Sequence, residues 1–303
     1  MQQKVIRFWA AASLVFATVL WGGGFVAVKD SLDFFPPLYL IALRFAIAGV
    51  FLGAVFFKRL LKIRRGTFIR GLILSLFLFI AYAFQTIGLQ HTTAGKNAFL
   101  TTIYVILVPL LGWAFSRRNP GAHIFAAAII AIAGIGLLSL EGGFFIGIGD
   151  VLTLGCGFWF AVHIVFIARF TQGHDDDPIA LTILQMLFCA LCAGLCALFF
   201  EWPFPQDIWH FQPLASLGYL AIFSSGIAFL LQNVGQKYTP AGTAALLLSL
   251  ESIFGAVFSA VMLGESMSLR MLTGCALLLF AIVLSETKFA FLFKRQGRIK
   301  RRG

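Results

Sequence analysis

Residues 71–98 read GLILSLFLFIAYAFQTIGLQHTTAGKNA, and residues 218–245 read GYLAIFSSGIAFLLQNVGQKYTPAGTAA. At a shift of 147, Gly71 falls on Gly218, Ile80-Ala81 on Ile227-Ala228, Gln85 on Gln232, Gly88 on Gly235 and Ala94-Gly95 on Ala241-Gly242. The register continues without a gap to Leu137 and Leu284. Upstream, Trp21 pairs with Trp159 and Arg44 with Gln185 at slightly smaller shifts. The chain repeats itself. With an odd number of membrane spans per copy, the second copy enters the membrane from the opposite side, and transporters are built on inverted repeats of this kind.

Composition sets the class. Hydrophobic residues make up 60% of the chain and charged residues 12%, whereas soluble domains carry about 25% charged residues. A bilayer core needs about 20 helical residues, and ten apolar runs reach that scale: 9–28, 37–57, 71–90, 97–116, 123–140, 151–170, 179–199, 214–233, 242–263 and 270–290. The expected fold is an all-α membrane protein, ten transmembrane helices as two inverted five-helix repeats. The repeats are 1–143 and 144–290, followed by a basic tail at 291–303. Breakers mark the connectors: Pro36-Pro37, Asn119-Pro120, Asp177-Pro178, Pro203, Pro205 and Pro240. No polar stretch between the runs is long enough for a soluble domain. Lys4 and Arg7 precede the first run, which ends in Trp21-Gly-Gly-Gly24-Phe25 instead of a small-residue cleavage site, so it reads as a retained helix.

The net charge of +11 is explained by topology. With both termini cytoplasmic, nineteen of the 23 basic residues lie on the cytoplasmic side, Lys58, Arg59, Lys62, Arg64 and the tail among them. Only Lys29, Lys96 and Arg270 fall outside, and Arg44 lies within a span. Asymmetry of this size in short loops orients a membrane chain and removes charge as a sign of nucleic-acid binding. The expected partners are the lipid bilayer, with the tail against anionic lipid, and a small-molecule substrate. Monomer and homodimer are both compatible with the sequence.

Cys189, Cys192 and Cys196 share one face of one span. Consecutive turns do not bring Cβ atoms within the roughly 4.5 Å of a disulfide, so these read as small packing residues. The histidines stand scattered at 91, 123, 163, 174 and 210. No HExxH, paired metal spacing or phosphate-cradling glycine loop accompanies them, and no metal or cofactor is expected. Small residues four apart, such as Gly49 with Gly53 and Gly157 with Ala161, let helices approach closely in lipid. Pro109 lies inside a span and predicts a kink there.

Polar groups within apolar runs are costly, so they face a cavity or a partner. Arg44 in the second span and Glu251 in the ninth are the charges that demand explanation. They form either a substrate- or proton-handling site or an ion pair that locks two helices. Under the 147 shift, Tyr82, Gln85, Asn97 and Tyr104 meet Phe229, Gln232, Ala244 and Glu251. The two glutamines either line one cavity or join helices for stability alone. Trp21 and Trp159 are cavity walls or interfacial anchors. His163, one turn past Trp159, is a proton carrier or a satisfied packing residue. The candidate translocation path is therefore Trp21, Arg44, Tyr82, Gln85, Asn97, Tyr104, Trp159, His163, Gln185, Gln232 and Glu251.

Taken together, these residues resemble a family. Leu20-Trp21-Gly22 with Phe25, Leu43-Arg44-Phe45, Thr92 through Phe99, and Leu250-Glu251-Ser252-Ile253 followed by Gly264-Glu265 are similar to the signatures of the drug/metabolite transporter superfamily, in its EamA-type branch. The resemblance spans essentially the whole chain. It implies a plasma-membrane carrier, in a bacterium the inner membrane, that exports amino acids, related metabolites or amphipathic toxic compounds by alternating access, with proton coupling as a family-level expectation. Two departures stand out. The family often has proline after the ninth-helix glutamate where this chain has Ser252, which removes that cause of a kink. The Gly-Glu of the second copy corresponds to Arg117-Arg118 in the first. The competing classes fit less well. An intramembrane lipid-acting enzyme needs a reactive cluster near one interface, and a non-transporting assembly protein has no use for an inverted repeat.

Overall fold

The computed structural model describes residues 2–116, 122–139, 146–173, 176–206, 208–265 and 268–287. Among them every regular element is helical. The first half contains α1 (Gln2–Ser31), α2 (Pro37–Val55), a single turn α3 (Phe57–Leu60), α4 (Arg65–Gln90), α5 (Ala94–Thr101), α6 (Tyr104–Ser116) and α7 (Ala122–Ser139). The second begins with α8 (Ile148–Gly173) and α9 (Pro178–Phe200). Then α10 (Phe211–Tyr219), a π-helical segment Leu220–Ile227 and α11 (Ala228–Tyr238) run as one rod, followed by α12 (Ala241–Leu248), α13 (Glu251–Leu263) and α14 (Leu269–Thr287). The expected breakers act as helix starts: Pro37 and Pro178 stand at the first helical position, where a missing N–H costs nothing.

Eight helical segments among the described residues are long and apolar enough to cross a membrane. They coincide with eight of the ten expected runs. The expected spans at 123–140 and 270–290 fall on α7 and α14, which pack against each other. Within α14 the described apolar stretch is Leu272–Ala281. The outward faces are strongly apolar: Val50, Leu191, Phe199 and Val261 are all exposed. A continuous apolar exterior of this kind belongs in lipid.

Inside the bundle, α2 packs on α9, α4 on α8 and α9, and α1 on α11 and α13. Gly22 permits the last contact, because a Cβ there would lie 2.5 Å from the Cβ of Phe254 on α13. All five cysteines are free thiols.

Two spans are interrupted in mid-course, at Thr102–Ile103 between α5 and α6 and at Ser249–Leu250 between α12 and α13. These breaks are repeat mates under the shift of 147. Hydroxyls occupy both. Thr102 Oγ1 donates to the Phe99 carbonyl at 2.7 Å, Ser249 Oγ to Leu246 at 2.6 Å, and Ser252 Oγ to Ser249 at 2.8 Å. Side chains that bond back to the preceding turn compete with the helix ladder and bend it. The ninth span therefore breaks beside Glu251 without a proline. Conversely, α6 runs unbroken through Pro109, and the interruption of that span lies upstream.

The two ends of the bundle are tied differently. At one end, Glu201 accepts the backbone N–H groups of Leu38 and Tyr39 at 3.0 Å, capping α2 from the far half. Glu265 accepts those of Ala94 and Gly95 at 2.9 and 3.1 Å, capping α5. Gly264 makes this possible: its φ of +65° ends α13 in the left-handed turn that glycine adopts freely, and Glu265 follows directly. Lys29 donates to the carbonyls of Leu89 and Thr92 at 2.9 Å, and Lys96 pairs with Asp150 at 2.9 Å. At the other end, Arg70 and Thr67 hold Asp176, and Arg59 meets Asp177 at 3.0 Å.

Candidate functional site

The broken spans, the π-helical segment, α1, α2, α4, α8 and α11 surround a cavity in the middle of the bundle. Its polar lining is Arg44, Tyr82, Gln85, Tyr104, Ser224, Gln232 and Glu251, and Trp21, Phe25 and Phe160 supply aromatic wall. The centre of a water molecule has about 30 Å³ to occupy.

Arg44 is 2% exposed. Its Nε donates to Ser225 Oγ at 2.8 Å and its Nη2 to Ser224 Oγ at 3.0 Å. The guanidinium carbon lies 5.0 Å from the centroid of Tyr82 and 5.5 Å from that of Phe45. Aromatic faces attract a desolvated cation, so two hydroxyls and two rings hold this charge in place of a carboxylate. The serines belong to the π-helical segment, whose wider turn is a feature often found at functional sites. Trp21 Nε1 donates to the Ser224 carbonyl at 2.9 Å, tying α1 to the same turn.

Glu251 opens α13, directly after the break, and is 5% exposed. The positive end of the helix dipole favours a carboxylate there. Tyr104, which opens α6, donates its hydroxyl to Glu251 Oε1 at 2.9 Å. Among the described residues neither Arg44 nor Glu251 takes part in an ion pair. Both face one cavity and neither neutralises the other. On α11, Gln232 presents a buried Oε1 with no hydrogen-bond partner among the described residues.

Seven of the eleven residues singled out in the sequence line this cavity: Trp21, Arg44, Tyr82, Gln85, Tyr104, Gln232 and Glu251. The other four lie elsewhere. Asn97 donates to Thr153 Oγ1 at 2.8 Å, joining α5 to α8. His163 Nε2 lies 2.7 Å from Gln185 Oε1, and His163 Nδ1 and Gln185 Nε2 have no hydrogen-bond partner among the described residues. Trp159 stacks on Phe77, ring centroids 5.9 Å apart, outside the cavity. The position that lines it is Phe160. One residue turns a helix by about 100°, so Phe160 faces the cavity while its neighbour Trp159 faces away from it. Ser224 and Ser225 went unnoticed in the sequence. Their signal was that two hydroxyls stand where the first copy has Phe77 and Leu78, inside an apolar run.

Comparison with known proteins follows the same lines. The model of the EamA-like transporter family matches residues 8–140 and again 147–287. An uncharacterized transporter of Archaeoglobus fulgidus is 30% identical over 282 residues, 93% of this chain and 87% of the relative. A probable amino-acid metabolite efflux pump of Salmonella typhimurium is 27% identical over 296 residues, 93% of this chain and 95% of the relative. One solved crystal structure shares the fold with a TM-score of 0.71 at 21% identity, covering 93% of this chain and 98% of that one.

Proposed function

The chain belongs to the EamA-like transporter family, and on that footing we propose that it is a secondary transporter of the plasma membrane, in a bacterium the inner membrane. It exports small metabolites such as amino acids, or amphipathic toxic compounds, by alternating access, with proton coupling. The proposed frame is ten spans in two inverted repeats, 1–143 and 144–290, with both termini cytoplasmic. Contacts between repeat mates support it. Tyr82 and Phe229 pack with ring centroids 5.9 Å apart, and Tyr104 bonds Glu251; the members of each pair are separated by 147 positions. Residues exchanged by a two-fold operation touch only beside its axis, so this frame puts the axis at the cavity. Binding sites of inverted-repeat transporters lie at the repeat interface near the midplane, beside interrupted helices.

The observation that carries the reading is a cavity with one guanidinium and one carboxylate that do not pair with each other. An amino acid complements it. Its carboxylate suits Arg44 with Ser224 and Ser225, its ammonium suits Glu251 and the unpartnered Gln232 Oε1, and its apolar part suits Trp21, Phe25 and Phe160. The names of the Salmonella typhimurium and Escherichia coli relatives, probable amino-acid metabolite efflux pumps, favour the same class. Entry and release of such a solute on alternate sides require the walls to part in turn, which is what alternating access supplies. The test is purified protein in liposomes loaded with labelled amino acids, read as counterflow. Saturable exchange of at least one amino acid is expected. No movement of amino acids or of cationic dyes would defeat the transport reading. A reporter after Gly303 should behave as cytoplasmic and one in the loop 201–212 as external.

A further inference from the structure

At the end of the bundle opposite Glu265, the α2–α3 corner, the start of α4 and the start of α9 enclose an open cleft of about 590 Å³. Lys58, Arg59, Lys62, Arg64 and Arg70 line it, against Asp176 and Asp177. The two acids are already engaged. Asp176, 5% exposed, accepts Thr67 Oγ1 at 2.6 Å and Arg70 Nη2 at 2.9 Å, and Asp177 takes Arg59. Lys58, Lys62 and Arg64 are exposed and have no acidic partner among the described residues. Three cations therefore converge on a cleft whose own carboxylates are spoken for, and they call for an anion from outside the chain.

The flank of the cleft identifies the source. Phe57, Leu61 and Phe68 beside it are exposed, Leu61 to 79%. Phe68 packs edge-on against Phe188 of α9, centroids 5.2 Å apart, and the exposed Leu187, Leu191 and Leu195 continue that apolar strip along the span. A soluble anion has no use for apolar surface leading out of its site, whereas a phospholipid needs both parts. We propose that this cleft binds the headgroup of an anionic phospholipid, its phosphate held by Lys58, Lys62 and Arg64 and its acyl chains lying along Leu61, Phe68 and Leu191. Basic pockets between spans at one membrane face are a recognised way of holding such lipids. The site stands apart from the central cavity and does not depend on the substrate.

The experiment uses the detergent-purified full chain and short-chain phosphatidylglycerol, with binding followed by native mass spectrometry and by the shift in thermal midpoint. Phosphatidylglycerol is expected to bind and raise the midpoint, while short-chain phosphatidylcholine and millimolar inorganic phosphate do neither. The variant Lys58→Gln/Lys62→Gln/Arg64→Gln should lose on the order of a hundredfold in affinity, since each basic group near anionic lipid contributes roughly fivefold. All three positions are exposed, and the variant's unchanged midpoint without lipid shows that it has folded. Leu61→Gln should weaken phosphatidylglycerol binding severalfold through the acyl contact alone. Lys4→Gln/Arg7→Gln removes charge elsewhere and should bind as the parent does. Equal binding of phosphatidylcholine, or unchanged affinity in the triple variant, would overturn the site. Protection by inorganic phosphate equal to that by the lipid would make it a soluble-anion site. Equal loss in the Lys4/Arg7 variant would reduce it to diffuse surface attraction.

Discussion

The starts of α5 and α12 are repeat mates, Ala94-Gly95 and Ala241-Gly242, yet they are held in different ways. The first is capped twice, by Thr93 Oγ1 on the Lys96 N–H at 3.2 Å and by the Glu265 carboxylate from the other half. The second follows Pro240, which has no side chain able to cap, and no side-chain cap is made. The same contrast recurs at the cavity, where Tyr104 faces its own mate Glu251, and Phe77-Leu78 correspond to Ser224-Ser225. The halves keep the positions of the helix breaks and the glutamine pair Gln85 and Gln232, and differ in most of the other polar groups around the cavity. Shared backbone breaks put both interruptions beside the cavity, while unlike side chains give it one cation and one anion.

The largest effects should come from the unmatched charges. Arg44→Ala is expected to lower both proton-driven accumulation and equal-pH exchange by about thirtyfold or more, the scale of a lost buried charge contact of at least ~2 kcal/mol. Glu251→Gln should abolish accumulation and leave part of the exchange. Because the two groups do not form an ion pair in this conformation, neutralising both should not restore transport. Recovery in the Arg44→Ala/Glu251→Gln protein would make them a structural lock and break the contrast drawn here.

Glu265→Gln comes next. It weakens two charge-assisted bonds on α5, worth about 1–2 kcal/mol together, and should lower the thermal midpoint by a few degrees. It should also raise several-fold the labelling of a single cysteine at Gln85 by a polar thiol reagent added from that side, in a background without native cysteine. Unchanged labelling would mean that the carboxylate is a cap and nothing more. Ser225→Ala removes one of the hydroxyls on Arg44, and a loss of about tenfold in exchange is expected from one hydrogen bond to a charge. The smallest change tests the other half. Pro240→Thr supplies the cap that α12 lacks and should stabilise by no more than about 1 kcal/mol. A larger gain, or any loss of transport, would show that the uncapped start is itself needed.

Length of apolar run and the exact 147 register made the helical class and most spans readable, because both are properties of many residues at once. Arg44, Glu251 and the two glutamines were readable for a related reason, since polar groups in an apolar run must find a cavity or a partner. What stayed hidden depended on single turns. Thr102 and Ser249 look like ordinary small polar residues until their hydroxyls are seen to bond backwards, and Pro109, the obvious breaker, sits in an intact helix. The π-helical segment adds a register shift that no periodicity announces. Trp159 shows the same limit from another side, because a conspicuous identity drew attention one residue away from the wall position at Phe160.

The narrowness of the central cavity has a consequence for how tightly any solute is seen to bind. This conformer leaves about 30 Å³ to the centre of a water molecule, and on the proposed reading a conformer with parted walls is the one that binds the solute. Measured affinity is then the intrinsic affinity scaled by the competent fraction, and a fraction of about one in a hundred weakens it about a hundredfold. Substitutions far from the cavity that favour parting, at the Glu265 cap for instance, should tighten apparent binding although no atom near the solute has changed.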